Sequence, residues 1–219
     1  MDAMPFSSRR RLVEWAQAHD AFVIEDDYDS EYRYGQMPIP SLQSIDQADR
    51  VVYSGTLSKV FSPGMRLSYL VLPQRLLETY REHISCYWCS VSGLVQNIAS
   101  ELFNNGTYDR QVRKQVAYFG ASQALLVKAL RRELGDAVAL FGEHAGLHIW
   151  VRLSDGGSAR ELAERARRLG VGIYPATPYW MDERDADPSA FIMGYSSIPQ
   201  DRIEPGVRLL AQAWRGGGA

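Results

Sequence analysis

Apolar and polar positions follow two different periods along this chain. In SSRRRLVEWAQAHD, apolar residues recur at helical spacing in an otherwise charged stretch, which predicts an amphipathic helix from Ser8 to His19. Shorter, nearly continuous apolar runs come next. Ala21-Phe22-Val23-Ile24 ends in acid, Glu25-Asp26-Asp27; Val51-Val52-Tyr53-Ser54 is a second run; Leu67 to Leu72, closed by Pro73, is a third. Each has the length and composition of a buried strand. Gln74 to His83 reads as a helix. Such strands between helices predict an α/β layered sheet, mostly parallel.

The pattern then turns helical. A helix is expected from Ser92 to Phe103, stopped by Asn104-Asn105-Gly106. Thr107 is expected to cap a long helix reaching Leu134 and ended by Gly135. At 1.5 Å per residue that helix spans roughly 40 Å, enough to link two subdomains. The last third reads as a smaller α+β unit. Its expected strands are Val138 to Phe141, Leu147 to Leu153, Val171 to Tyr174 and Phe191 to Gly194. Ser158-Ala159-Arg160-Glu161 is a capping box opening a helix to Leu169, and Pro199 to Trp214 is a closing helix. The Gly-Gly-Gly-Ala tail is expected to be disordered.

Composition narrows the function. The 219 residues are 46% hydrophobic with a formal net charge of −2, ordinary for a globular protein and too balanced for this chain alone to grip nucleic acid. The one basic run, Arg9-Arg10-Arg11, reads as a solvated helix face. Cys86 and Cys89 have no second pair or histidine couple to complete a metal site, so they read as half-buried thiols in a reducing compartment. No apolar run reaches membrane-spanning length and Met1-Asp2-Ala3 opens no signal peptide, so a cytoplasmic location is expected.

Candidate chemistry sits at the strand ends, the edge at which open α/β sheets bind ligands. Asp26, Asp27 and Tyr28 follow the first strand; Thr56, Ser58 and Lys59 follow the second; Arg66 precedes the third. Together they suit a phosphorylated aromatic aldehyde. A lysine amine condenses with it, a carboxylate holds a pyridine nitrogen protonated, and hydroxyls with an arginine fork hold a phosphate dianion. Each feature alone is common.

The combination is more specific. IEDDYDSEYRYG (Ile24 to Gly35), followed by YSGTLSKVFSPGMRLSYLVLP (Tyr53 to Pro73) and later FIMGYSSIPQDRIEPGVRLLAQAW (Phe191 to Trp214), resembles the MocR family of GntR-type bacterial transcriptional regulators. The resemblance implies a fold-type I aminotransferase-like domain that binds pyridoxal 5'-phosphate (PLP) and senses an amine or amino-acid effector. Lys59 would be the Schiff-base lysine, Asp26 the partner of the pyridinium nitrogen and Tyr28 the partner of the phenolic oxygen. Thr56, Ser58 and Arg66 would contact the phosphate. Adjacent residues at a strand end point to opposite faces, so only one of Asp26 and Asp27 can face the ring. A homodimer is implied, and DNA would be reached only through an N-terminal winged helix-turn-helix.

On this resemblance, residues 1–106 correspond to the C-terminal half of the PLP-binding large domain, 107–134 to a linking helix and 135–219 to the small domain. The chain begins inside the aminotransferase-like domain, as an excised fragment or a truncated reading frame, and a half-site is expected to bind PLP weakly. It also departs from the pattern at the substrate end. Neither Phe191 to Tyr195 nor Ile173 to Trp180 carries the arginine expected for a substrate carboxylate. Tyr179 and Trp180 are left as an aromatic wall or as ordinary packing, and Arg152 is a distant candidate. The rival readings are a catalytic aminotransferase fragment and a remnant that folds without PLP.

Overall fold

A computed structural model describes residues 4–35, 37, 39–84 and 86–216. Of the tail 216–219, Gly216 is described and ends the last helix, its N–H donating to Gln212 O at 3.0 Å; residues 217–219, and the first three, 1–3, lie outside the described residues. The chain divides into two compact units, one of Met4–Glu31 and Gln36–Gln115, the other of Tyr32–Gly35 and Val116–Ala219.

The first unit holds helix α1 (Phe6–Ala18), strand β1 (Val23–Asp27), the short helix α2 (Leu42–Ile45), strands β2 (Val51–Thr56) and β3 (Ser68–Val71), and helices α3 (Gln74–His83) and α4 (Gly93–Asn104). Its sheet has the order β1-β2-β3 and is mixed: β1 runs parallel to β2 and β2 antiparallel to β3. Val13 of α1, Leu42 of α2 and Val51 of β2 form its small core, with Val23 packed against them. The two helices therefore cover one face of the sheet. Aspartates pin the connections. The Asp46 carboxylate accepts backbone N–H bonds from Ala48, Arg50 and Val51, which sets the entry to β2. The Asp49 carboxylate accepts from Gln74 N at 2.7 Å and Arg75 N at 2.9 Å, satisfying amides at the start of α3 that the helix cannot pair itself.

Two sequence expectations are corrected here. Arg9 is not on a solvated face: its guanidinium donates to the Glu25 carboxylate at 3.0 Å, and the two side chains are only 16% and 10% exposed. Arg10 and Arg11 are exposed as expected. Cys86 and Cys89 are exposed thiols, not half-buried ones. Tyr87 and Trp88 beside the thiols are exposed as well.

Helix α5 (Thr107–Leu134) contributes residues to both units. Its start differs slightly from expectation: Thr107 is the first helical residue, and the Asn105 side-chain oxygen accepts its N–H at 2.9 Å. The second unit adds β4 (Val138–Phe141), β5 (His148–Leu153), α6 (Ala159–Arg168), β6 (Tyr174–Pro175), β7 (Ala190–Gly194) and α7 (Gln200–Arg215). Its sheet, β4-β5-β7-β6, is antiparallel throughout. Leu130 of α5, Ile149 and Val151 of β5, Leu162 of α6, Phe191 of β7 and Leu210 of α7 are buried together in one large core. Ser158 caps α6 by accepting from Glu161 N, as the sequence motif requires.

The expected strand Val171 to Tyr174 shrinks to Tyr174–Pro175 because the end of α6 takes the preceding residues. Gly170, at φ +80°, donates to Arg167 O, and Val171 donates to Ala166 O. This pair of bonds closes the helix in a left-handed turn and leaves Val171 unable to join the ladder. Tyr179 and Trp180 are exposed, so ordinary packing under the small unit does not describe them. Among the described residues no helix is long and apolar enough to cross a membrane.

Candidate functional site

Strand alternation sorts the acidic run Glu25-Asp26-Asp27 between the two faces of the first sheet. Val23, Glu25 and Asp27 are partly buried, whereas Ile24 and Asp26 are exposed. Glu25 points to the covered face. Its carboxylate accepts from Leu42 N at 2.8 Å, Gln43 N at 3.1 Å and the Arg9 guanidinium, tying β1 to both covering helices. Asp27 is also engaged. It accepts the Tyr53 hydroxyl at 2.8 Å, the Ser30 hydroxyl at 2.8 Å and Ser30 N at 3.2 Å. Burial, then the Asp27 hydrogen bond and charge, push the Tyr53 phenol far above its ordinary value and keep it a donor.

Asp26 is different. It accepts no hydrogen bond among the described residues. Register places Asp26 opposite Ser54 of β2, so Ser54 and Thr56 share its face. Its charge reaches Tyr28. Burial, then Asp29 and Asp26, raise the Tyr28 phenol above its ordinary value, so the hydroxyl stays protonated and can donate to an anionic oxygen.

Lys59 joins this group. Its Nζ lies 6.0 Å from the centroid of the Tyr28 ring, within cation–π range. The neighbouring residues fix its backbone. Leu57 is 3% and Val60 1% exposed, while Lys59 itself is exposed. Leu57 N donates to Leu67 O at 3.0 Å, Phe61 N to Leu57 O at 3.1 Å and the Gln115 amide to Val60 O at 2.7 Å. A pinned turn thus projects one flexible amine.

Thr56 helps to build that turn. Its hydroxyl donates to Leu67 O at 3.2 Å and accepts from Ser58 N at 3.1 Å, so its proton is spent inside the loop. Arg66 stands at the end of a 3-10 turn, Pro63–Met65, with φ +46° and ψ 40°. A left-handed backbone is unusual for arginine, and residues held there cluster at functional sites. Its guanidinium is exposed and makes no ion pair or hydrogen bond among the described residues.

The structure thus brings Asp26, Tyr28 and Lys59 together. It places Ser58 and Arg66 on the same connection from β2 to β3, and gives Thr56 a part in that connection's shape. Sequence reasoning passed over Glu25, although an acid on the inward phase of a strand that faces two helices is itself a signal. It also passed over Gly55. Register sets Gly55 opposite Tyr69, whose ring lies where a side chain at Gly55 would go. Gly55→Ala is expected to displace that ring and destabilise the unit by about 1–3 kcal/mol, measurable by urea unfolding. An unchanged midpoint would show that the ring moves aside freely.

The residue types fit PLP: an amine beside a protonated phenol, an exposed carboxylate two residues before that phenol, and a hydroxyl and a guanidinium on the connection from β2 to β3. Comparison with known proteins agrees with the class. The fold is that of the fold-type I aminotransferases, and the chain superimposes on solved members over nearly its whole length. One is the α-aminoadipate aminotransferase LysN of Thermus thermophilus, solved in complex with N-(5'-phosphopyridoxyl)-L-leucine. It has a TM-score of 0.82 and is 26% identical, covering 97% of this chain and 55% of that one.

Sequence relatives narrow the class to the aminotransferase-like part of MocR-type regulators, the resemblance expected from the motifs. YdeL of Bacillus subtilis, an uncharacterized HTH-type transcriptional regulator, is 35% identical over 97% of this chain and 45% of its own length. The probable rhizopine catabolism regulatory protein MocR of Rhizobium meliloti is 28% identical over 96% and 42%. The chain therefore spans about half the length of the curated relatives it matches. No protein-family model matches it.

Proposed function

We infer that this chain is the PLP-binding, effector-sensing part of a MocR-type transcriptional regulator. The observation that carries the reading is the meeting of Lys59, Tyr28 and Asp26 beside the open face of an aminotransferase-type sheet. When bound, PLP supplies an aldehyde that takes up amines and a ring that withdraws electrons. Lys59 offers the amine for that aldehyde, and Asp26 the charge that keeps the ring nitrogen protonated. Tyr28 offers a donor for the phenolic oxygen. Arg66 and Ser58 offer donors for the phosphate, with Thr56 shaping their turn. An amine or amino-acid effector would compete with Lys59 for the aldehyde. A cytoplasmic homodimer that reaches DNA through an N-terminal winged helix completes the proposal, supported by the HTH-type names of the sequence relatives.

The aminotransferase reading draws support from the enzymes that share the fold. It lacks support at the substrate end, since β7 and the β6 segment carry no arginine for a carboxylate.

The test is PLP titration of two variants, followed by absorbance. Asp26→Ala is expected to weaken PLP binding about tenfold or more, the worth of one charge-assisted contact of about 1.5–3 kcal/mol. Asp27→Ala is expected to act first on stability, because Tyr53 and Ser30 lose their acceptor. If Asp27→Ala abolished PLP binding in a folded chain while Asp26→Ala bound normally, the choice of acid would be reversed.

A further inference from the structure

The unit of Tyr32–Gly35 and Val116–Ala219 contains a cavity of about 720 Å³ that no part of the proposed PLP site occupies. Its size lies within the range of small-molecule sites. Its walls are fixed by backbone pairing. Arg33 forms an antiparallel bridge with Ala145, Tyr34 N donates to His144 O at 2.9 Å, and Gly146 N donates to Tyr32 O at 2.8 Å. Two phenols converge on one carbonyl behind it: Tyr34 and Tyr195 both donate to Gly146 O, at 2.8 and 2.6 Å. On the helical side, a Cβ at Gly120 of α5 would come within 3.0 Å of the Tyr34 ring, so glycine lets ring and helix close together there.

The lining is cationic. Arg33, Lys128 and Arg131 line it together with one carboxylate, Glu143, and the His144 ring. That carboxylate is already taken by Arg131, with bonds of 3.0 and 2.9 Å. Lys128 makes no ion pair or hydrogen bond among the described residues. Arg33 Nη1 is buried and has no hydrogen-bond partner among them. Two cationic side chains without a counter-charge, on the wall of one preformed cavity, describe a receptor for negative charge.

We propose that this cavity binds a small dianion, a phosphate-bearing or dicarboxylate metabolite, held by Arg33 and Lys128 with His144 at its side. The site shares no residue with the Lys59 group, so its occupancy is a separate input to the protein.

The experiment follows the His144 ring by NMR in the histidine-labelled chain. The signal is assigned with His144→Gln. Pyrophosphate and succinate are titrated separately, at ionic strength held constant with sodium chloride. A saturable His144 shift is expected with at least one of them, and the tighter of the two identifies the anion chemistry. Lys128→Gln, an exposed substitution, is expected to weaken that binding about tenfold. Arg66→Gln is expected to leave it unchanged. The proposal is overturned if neither anion moves His144 saturably, or if Lys128→Gln leaves the curve where it was. It is also overturned if Arg66→Gln weakens binding equally, because the anion would then be reporting the PLP phosphate contacts.

Discussion

Incubated with PLP and reduced with borohydride, the wild-type chain is expected to gain one phosphopyridoxyl group on Lys59, and Lys59→Ala none. The chain has only three lysines, Lys59, Lys114 and Lys128, so mass mapping gives a clear answer. The expected effect is complete loss, because no other lysine stands on the turn after β2 beside Tyr28. Reductive trapping also separates a formed carbon–nitrogen bond from simple ionic binding of the phosphate. Tyr28→Phe is the informative companion. It keeps the ring beneath the lysine and removes only the hydroxyl, so trapping should persist with a changed absorbance maximum. An adduct of equal yield in Lys59→Ala, or one spread over Lys114 and Lys128, would sink the assignment.

The second large effect is expected at Glu25. Removing its side chain strips an acceptor from two backbone amides and from a guanidinium that is 16% exposed. Deleting one partner of a largely buried pair leaves the other charge without compensation, and such losses run to about 3 kcal/mol. Glu25→Ala should therefore lower the urea midpoint more than any substitution among the PLP contacts. It should weaken PLP binding as well, since β1 carries Asp26 and depends on this clamp for its place. Glu25→Gln keeps an acceptor for the amides and should recover part of the loss. A change below about 0.5 kcal/mol, the range of ordinary surface substitutions, would show that α1 and α2 hold β1 without it.

Much of the fold was legible because its elements are long and strongly periodic. Helix α3 begins and ends where apolar spacing puts it, α5 ends at the expected Leu134, and Ser158 caps α6. The strands were legible as apolar runs, yet their exact limits were not, and neither was the exposure of β3, all four of whose residues are exposed rather than buried as expected. Where Val171 went depended on how α6 closes, a competition between helix end and ladder that composition does not rank. Exposure was less legible still. Cys86 and Cys89 look like interior residues by type, but burial depends on what packs above them.

At the site, residue types were readable and their division of labour was not. Asp26 and Asp27 are identical in kind and adjacent. Only the hydrogen bonds from Tyr53 and Ser30, supplied by residues elsewhere in the chain, commit Asp27 to the fold. The inward phase of Glu25 was readable, but not what it clamps, because its partners, Arg9, Leu42 and Gln43, are 16 to 18 residues away in sequence.

The two-residue period of β1 has a consequence for how this segment can evolve. Its three successive acids face in, out and in, and each has its own neighbours. A point substitution disturbs one of them. An insertion or deletion of a single residue before Val23 would exchange all of them at once, turning Asp26 and Ile24 toward α1 and α2 and Glu25 and Asp27 away. Among natural or library variants, the stretch from Ala21 to Tyr28 should therefore accept changes of letter far more readily than changes of length.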